Sequence, residues 1–563
     1  MSRRFVLSST DKLQKSVSVV CLYLIMRESL REYNKADHFY EVVQGETEES
    51  MVKKHLTILR VLKIMPTKWN ESKMTWEEDA STKLPKAEAT MKLIKPTLKF
   101  RWISSGSNAV LKPLFERLVW AFRGVQLRAI ELWSQAQQDA TDELGEKMAA
   151  NDLKAVPCWM ITNADQVKER VENMNTSPPA RSSMRCDDIE QLFSNLPHEL
   201  IMRQMEFLLK HIWNMMAVKV AGQRFQRTIE TDWDKMVIIA PKEKTKPARW
   251  EQVGRQRSTT KQEVFTPTKL LEWLGIALDN SYMSCGVMVL LQVLGIPMGM
   301  NASPFISNLF LFAYEFQFML QFLQSRAEYK LFTRWFTHMC RFQDDRWIGM
   351  SKMVERAISN GSFFSLEQPG RRSQQSAIWK YRGIYPTDKL NITLEQESNE
   401  SATPQRPTSV QHQDVLITMY VVNGKQMFRV APYQRKEDPK YDKLKEFIVH
   451  YNHADTFLPE ACVYGVVYSA AQRFARHASW ASEWQVNMEQ MLHHMFQLDY
   501  DWDKTRVHVW LRKFIAKFTT LELWGDAKDG AWVRFKAMQK AMHKYRPAMD
   551  QQDEGGCKRQ RRQ

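Results

Sequence analysis

Residues 341–349 read Arg341-Phe342-Gln343-Asp344-Asp345-Arg346-Trp347-Ile348-Gly349. Aromatic and apolar residues flank an adjacent Asp pair, which predicts two short strands joined by a turn that displays carboxylates. Neighbouring carboxylates repel one another and are costly to bury unless a cation lies between them. Magnesium meets that need, because it prefers carboxylate oxygens and keeps waters that a substrate phosphate can replace. An ordinary polar turn can also contain an Asp pair, so its meaning depends on what else the chain brings to it.

A second carboxylate source lies upstream, in Cys186-Asp187-Asp188-Ile189-Glu190-Gln191-Leu192-Phe193-Ser194-Asn195-Leu196-Pro197-His198. An Asp at a strand end, delivered beside the Asp344 turn, completes a three-carboxylate site for two metals, suited to in-line phosphoryl transfer. Between the two runs Leu294-Gly295-Ile296-Pro297-Met298-Gly299-Met300-Asn301-Ala302-Ser303-Pro304-Phe305. Its glycines permit close backbone approach, and Pro fixes the turn before an apolar helix through Glu315. A flat surface poor in side chains suits a stacked template base and incoming nucleotide, although a helix-leading loop without a ligand has the same pattern.

The chain has 563 residues, 44% of them hydrophobic, enough for a large core in several subdomains. With 80 basic and 64 acidic residues its net charge is +16, which suits a polyanionic partner, nucleic acid or an anionic membrane surface. The seven cysteines are far apart and form no CxxC pair, which argues against a zinc ribbon or a disulfide framework. A reducing compartment, nucleus or cytoplasm, is expected. His450 and His453 have ligand spacing but no second ligand pair. The N-terminus lacks the apolar core of a secretory signal. Residues 281–314 are uncharged, but Gly295, Pro297, Gly299 and the polar run after them break the segment. It therefore reads as buried strands, a loop and a buried helix, with no membrane partner.

Along the chain, residues 1–82 look mixed and helical, and 84–111 extended and basic, with Lys86, Lys92, Lys95, Lys99 and Arg101. Residues 113–150 have apolar positions at about 3.6-residue spacing, hence a helix. Residues 242–261 read as a loop with seven basic and two acidic residues around Trp250. It is either a mobile arm gripping phosphates, Trp250 stacking on a base, or a solvated surface loop. Residues 395–413 read as another loop, and from Lys443 the pattern is a helical bundle. The basic tail at residues 558–562 is a nuclear address, a phosphate-binding tail or a frayed end.

The order and wording of these segments resemble the reverse transcriptase family, nearest to the branch of Penelope-like retroelements and related stand-alone reverse transcriptases. GIPMGMNASPFISNLFLFAYE resembles the family's template-positioning motif, with Met300 and Ala302 where other residues are usual, and FTPTKLLEWLGIALDNSYM its lead-in. DIEQLFSNLPHE resembles D-I-x-x-L-Y-T-N-I-P-H, and RFQDD the aromatic-x-Asp-Asp turn. FRWISSGSNAVLKPL resembles a fingers segment, and ACVYGVVYSAAQRFARHAS a thumb-side pattern. The resemblance covers roughly residues 84–518 and implies an α+β right hand: fingers, a palm with an antiparallel sheet, and a helical thumb. The implied division is an N-terminal extension at 1–83, fingers and palm at 84–440, thumb at 441–548 and a disordered basic tail at 549–563.

The resemblance also assigns residues. Asp188, not Asp187, joins Asp344 and Asp345 as ligands of two Mg2+ ions, with Mn2+ as a substitute. Arg101 meets the triphosphate, with Lys86 on the same basic segment. Phe193 stands where the family places an aromatic steric gate against a ribose 2′-hydroxyl. Gly295, Pro297, Gly299 and Asn301 support the nascent pair, and Arg473 and Arg476, about one helical turn apart, track a duplex backbone. The implied activity is RNA-directed DNA synthesis from deoxynucleoside triphosphates on an RNA template and DNA primer, in an oligomeric state the sequence leaves open. One departure is the primer-side hairpin, which reads His412-Gln413-Asp414-Val415 and keeps the family's Asp but not the apolar pair before it. Gly383-Ile384-Tyr385 lacks the second half of a GIY-YIG nuclease, and no spaced acidic set suggests RNase H, so synthesis without cutting is expected. Two rivals stand beside this reading: an RNA-directed RNA polymerase, which Phe193 argues against, and a nucleic-acid-binding protein that kept the fold and lost synthesis.

Overall fold

The computed structural model describes residues 5–9, 17–33, 39–79, 81–92, 99–106, 108–143, 155–175, 184–190, 192–223, 225, 233–254, 257–259, 261–349, 354, 357–358, 363–367, 378–386, 390, 392–397, 407–423, 425–439, 442, 451, 460–496, 498, 509–510 and 513–514. His450, His453 and the basic tail lie outside them. The fold is mixed α+β and clusters into two compact units. One draws on Val17–Ile161 and Arg181–Glu397, the other on Thr162–Ala180 and Ser398–Gln563.

The first unit holds a four-stranded antiparallel sheet, ordered Met339–Phe342, Asp345–Gly349, Met184–Ile189, Ile392–Glu397. Met184–Ile189 is a central strand, so it is apolar or ion-paired on almost every position and buried almost throughout. A five-stranded sheet orders Tyr40–Val42, Met288–Gln292, Tyr282–Cys285, Lys86–Lys92 and Lys99–Ser105. The 281–314 segment forms two of its strands, a loop, and the helix Ser303–Leu320. That helix has Pro304 in its first turn and carries no charge before Glu315, so it is buried nearly all round. With Lys112–Glu143 it closes a core in which Trp133, Trp159, Phe318, Phe332 and Phe336 pack at tilted angles. No helix among the described residues is long and apolar enough to cross a membrane.

Three segments differ from expectation. The N-terminal region carries strands as well as helices, among them the hairpin Thr67–Asn70/Thr75–Glu78. Residues 242–261 are not an open loop: Arg249–Gln252 and Gln262–Phe265 flank Met236–Pro241 in an antiparallel sheet, because Trp250 has a core to pack on. Thr408–His412 is likewise a strand, paired with Val415–Val422, which pairs with Lys425–Pro432.

That three-stranded sheet belongs to the second unit, with the helices Asp165–Met174, Glu460–His477 and Ala481–Phe496. The Asn175 amide ties helix to sheet, donating to the Phe428 carbonyl at 2.8 Å and accepting from its N–H at 2.7 Å. Val467, Phe474, Trp484, Met488 and Met491 form the core of this unit.

Candidate active site

The hairpin predicted around the Asp pair is present. Its strands end on the pair Phe342–Asp345, leaving Gln343 and Asp344 as a two-residue turn. Arg346 lies opposite Asp187, so one further step of the antiparallel register sets Asp345 beside Asp188. The Ile189 N–H donates to the Asp344 carbonyl at 3.3 Å, which keeps the pairing to the strand end. Asp188, Asp344 and Asp345 each offer a carboxylate oxygen, and the three atoms lie within 4.8 Å of one another, half-buried. Such a cluster is repulsive alone and suits a hard divalent cation. The donor set therefore fits magnesium or manganese.

Alternation along the strand separates two chemistries. Asp188 faces the cluster, whereas Asp187 faces the covered side and is 1% exposed. There Asp187 accepts from Arg185 and, at 3.1 Å, from Arg346. Arg346 lies over the ring of Tyr385, 5.1 Å from its centroid. Arg341, opposite Arg346, forms a bidentate pair with Glu315 at 2.5 and 3.1 Å, and the Tyr385 hydroxyl donates to Glu315 at 2.5 Å. Burial works against the Arg341 charge, but the Glu315 carboxylate outweighs it and holds the guanidinium above its ordinary pKa. Burial, reinforced by Glu315, pushes the Tyr385 hydroxyl well up, so it stays a donor. This layer holds three guanidinium groups against two carboxylates, a cationic floor beneath the anionic cluster.

The loop after Leu294 is joined to the Phe193 segment backbone to backbone. Gly295 donates to the Leu196 carbonyl at 2.7 Å and Ile296 to that of Phe193 at 2.6 Å. The His198 ring Nε2 meets the Gly295 carbonyl at 2.8 Å. Gly295 has φ +84°, and a Cβ there would stand 2.3 Å from the Phe193 carbonyl oxygen. Gly299 has φ +117°, and its Cβ would stand 2.3 Å from the Ser104 carbonyl oxygen. On that side the Ser104 N–H donates to the Met298 carbonyl at 2.6 Å, joining the loop to the strand that carries Arg101. Pro297 accepts from the Ser303 hydroxyl at 2.6 Å. Asn301, Gly299, Gly106, Lys112, Phe115 and Met300 line a cavity of about 160 Å³.

Backbone hydrogen bonds thus run from the Phe193 segment, which follows the strand of Asp188 in the chain, through the loop to the Arg101 strand. Phe193 is half-buried against the core. Lys86, exposed, lies on the neighbouring strand of the five-stranded sheet, opposite Ser105. Trp250 is placed otherwise than a base-stacking residue needs: its half-buried ring meets Trp213 edge-on, centroids 4.5 Å apart, and packs against the core. Arg473 and Arg476 lie exposed on Glu460–His477 in the second unit, Arg476 3.6 Å from Asp165. Motif reading passed over Arg341, Glu315, Tyr385 and His198. Their one available signal was Glu315, the first charge after a long uncharged run, which requires a buried partner.

No family model and no curated protein matches the chain. Among solved structures, telomerase from Candida albicans with a TWJ fragment of telomeric RNA is similar at 11% identity, over 95% of this chain and 70% of that one, TM-score 0.49. Telomerase from Candida tropicalis with a TWJ fragment of telomeric RNA is similar at 8% identity, over 96% and 68%, TM-score 0.37.

Proposed function

We propose that this chain is an RNA-directed DNA polymerase of the reverse transcriptase class, of the kind found in retroelements and with motifs nearest the Penelope-like branch. The observation that carries the reading is the convergence of Asp188, Asp344 and Asp345. Its support is the backbone junction between the Phe193 segment and the Gly295 loop. On this reading the sheet of the three aspartates is the palm, the Arg101 sheet belongs to the fingers, and Glu460–His477 to the thumb.

The three aspartates hold two divalent ions, which when bound would activate a primer 3′-hydroxyl and stabilise charge on the departing pyrophosphate. Arg101 and Lys86 bind the triphosphate electrostatically. The Phe193 ring closes the space a 2′-hydroxyl would need and so selects deoxynucleotides. Gly295, Pro297, Gly299 and Asn301 present backbone to the nascent pair without side chains in the way. Arg473 and Arg476 grip phosphates of the duplex.

Primer extension on an RNA template with magnesium and deoxynucleotides tests this, comparing the native chain with Asp344→Asn. Extension lost in the variant, and ribonucleotides used poorly by the native chain, is the expected result. No extension by the native chain, together with tight salt-sensitive RNA binding, would replace the reading with that of a silent binding protein.

A further inference from the structure

We infer that Arg341 is the positioning residue of the metal-binding turn, one guanidinium that holds both the backbone of Gln343 and the helix beneath it. The inference rests on the proposed reading of the aspartate cluster as a metal site. Arg341 is 1% exposed, and all five of its N–H groups have an acceptor. Nε and one Nη2 hydrogen go to the Glu315 carboxylate, at 2.5 and 3.1 Å. The other Nη2 hydrogen goes to the Asn308 carbonyl at 3.1 Å. Nη1 donates to the Asn308 side-chain oxygen at 2.5 Å and to the Gln343 carbonyl at 3.0 Å. A lysine, a point charge with three donors, cannot reproduce this fork.

The Gln343 contact matters because of what Gln343 does. Its φ is +56°, a conformation that side chains disfavour, and it is the first of the two turn residues. Its backbone sets the direction in which the next residue, Asp344, leaves the hairpin. Without the tie, Gln343 is free to relax to negative φ and carry Asp344 away from Asp188. The same guanidinium grips Asn308 by side chain and main chain, on the helix entered directly from the Gly295–Asn301 loop. One buried group therefore references the metal-binding turn and the loop beside it to a common support.

The test is Mn2+ binding to the full chain by electron paramagnetic resonance, beside the Mg2+ dependence of primer extension and a thermal melt. Arg341→Lys is expected to weaken Mn2+ binding about tenfold, as loss of a group supporting metal ligands does, with a parallel rise in half-saturating Mg2+. Adding Gln343→Gly to that variant is expected to restore most of the loss, since glycine adopts positive φ without a side-chain clash. Asn308→Ala, which removes one acceptor, is expected to shift binding the same way by a smaller factor. Native-like Mn2+ binding in folded Arg341→Lys or Asn308→Ala overturns the inference, as does a loss that Gln343→Gly leaves unchanged. A native chain that binds Mn2+ in this Arg341-dependent way yet extends no primer removes the polymerase reading and leaves the positioning role standing. A native chain that binds no Mn2+ ends both.

Discussion

Gln343 and Gln413 hold the same backbone conformation at the same place in two separate hairpins. Each is the first residue of a two-residue turn, with φ +56° and +54°, and each is followed by an aspartate that is not at positive φ. A single positive φ at the first turn position is the pattern of a type II′ hairpin, where glycine is preferred. In the first unit the Arg341 side chain holds the carbonyl of that residue. In the second unit Gln411 does so, donating from its side-chain amide to the Gln413 carbonyl at 3.2 Å.

Gln413→Gly is therefore expected to stabilise the chain by up to about 1 kcal/mol, relief of the left-handed conformation being partly offset by unfolded-state entropy. Gln413→Val, β-branched at the same φ, is expected to cost about 2 kcal/mol. Chemical unfolding of the two variants measures both, and equal stabilities would show that the turn relaxes.

Gly295→Ala and Gly299→Ala are each expected to lower kcat/KM about a hundredfold, because a carbonyl 2.3 Å from the new Cβ forces the loop aside. Gly286 is the control: its φ is +64°, but nothing lies within 4 Å of its Cβ. Gly286→Ala should cost only the backbone penalty of about 1–2 kcal/mol in stability and leave extension unchanged. Steady-state kinetics beside thermal melts separates the two effects.

The aspartate cluster should strain the metal-free protein. With three carboxylates within 4.8 Å, Asp188→Asn or Asp344→Asn removes a repulsion and is expected to raise metal-free stability by about 1 kcal/mol, after allowance for solvent screening of a half-buried site. Both variants are expected to lose the rise in melting temperature that Mg2+ or Mn2+ gives the native chain. Melts in chelator and in metal check the two signs together.

His55 gives a pH dependence with a definite sign. Its ring is 1% exposed, neither nitrogen has a hydrogen-bond partner, and burial lowers its pKa from 6.5 to about 4. Below pH 6.5 the unfolded chain takes up a proton that the folded chain refuses, so stability falls as pH drops toward 4 and levels off below it. The loss amounts to about 3 kcal/mol. His55→Leu is expected to flatten this part of the curve and to stabilise the chain at pH 5 more than at pH 7.5. Denaturant midpoints at the two pH values decide it; an unchanged slope would mean that the folded state opens to admit the proton.

Much of this architecture could be read from the chain because it rests on local pattern. The Asp344 hairpin, the strand ending near Asp188 and the helix after Pro304 each carry their signal within a dozen residues. What could not be read depends on partners distant in sequence. Arg341 looks like one more surface cation until the helix of Asn308 and Glu315 is placed under it. The resemblance picks Asp188 over Asp187, but the residues alone give no reason for it; strand alternation supplies one, sending Asp187 to two arginines and Asp188 to the aspartate cluster.

Trp250 shows the same limit most sharply, and a variant resolves it. Seven basic residues around a tryptophan suggest a nucleic-acid arm, yet the neighbouring strand pairing puts Trp250 on Trp213. If the ring serves the core, Trp250→Ala removes an aromatic pair and leaves a void, at a cost of about 3 kcal/mol in folding stability. Affinity for single-stranded RNA, measured well below the melting temperature, should then change less than twofold. A base-stacking ring would reverse the pattern: about 1–3 kcal/mol lost from binding and little from stability. The half-buried ring and its 4.5 Å edge contact favour the first outcome. Lys244 and Lys246 are exposed, Lys246 in a surface ion pair with Glu243, so loss of RNA affinity on replacing both with glutamine would leave the tryptophan's structural role intact.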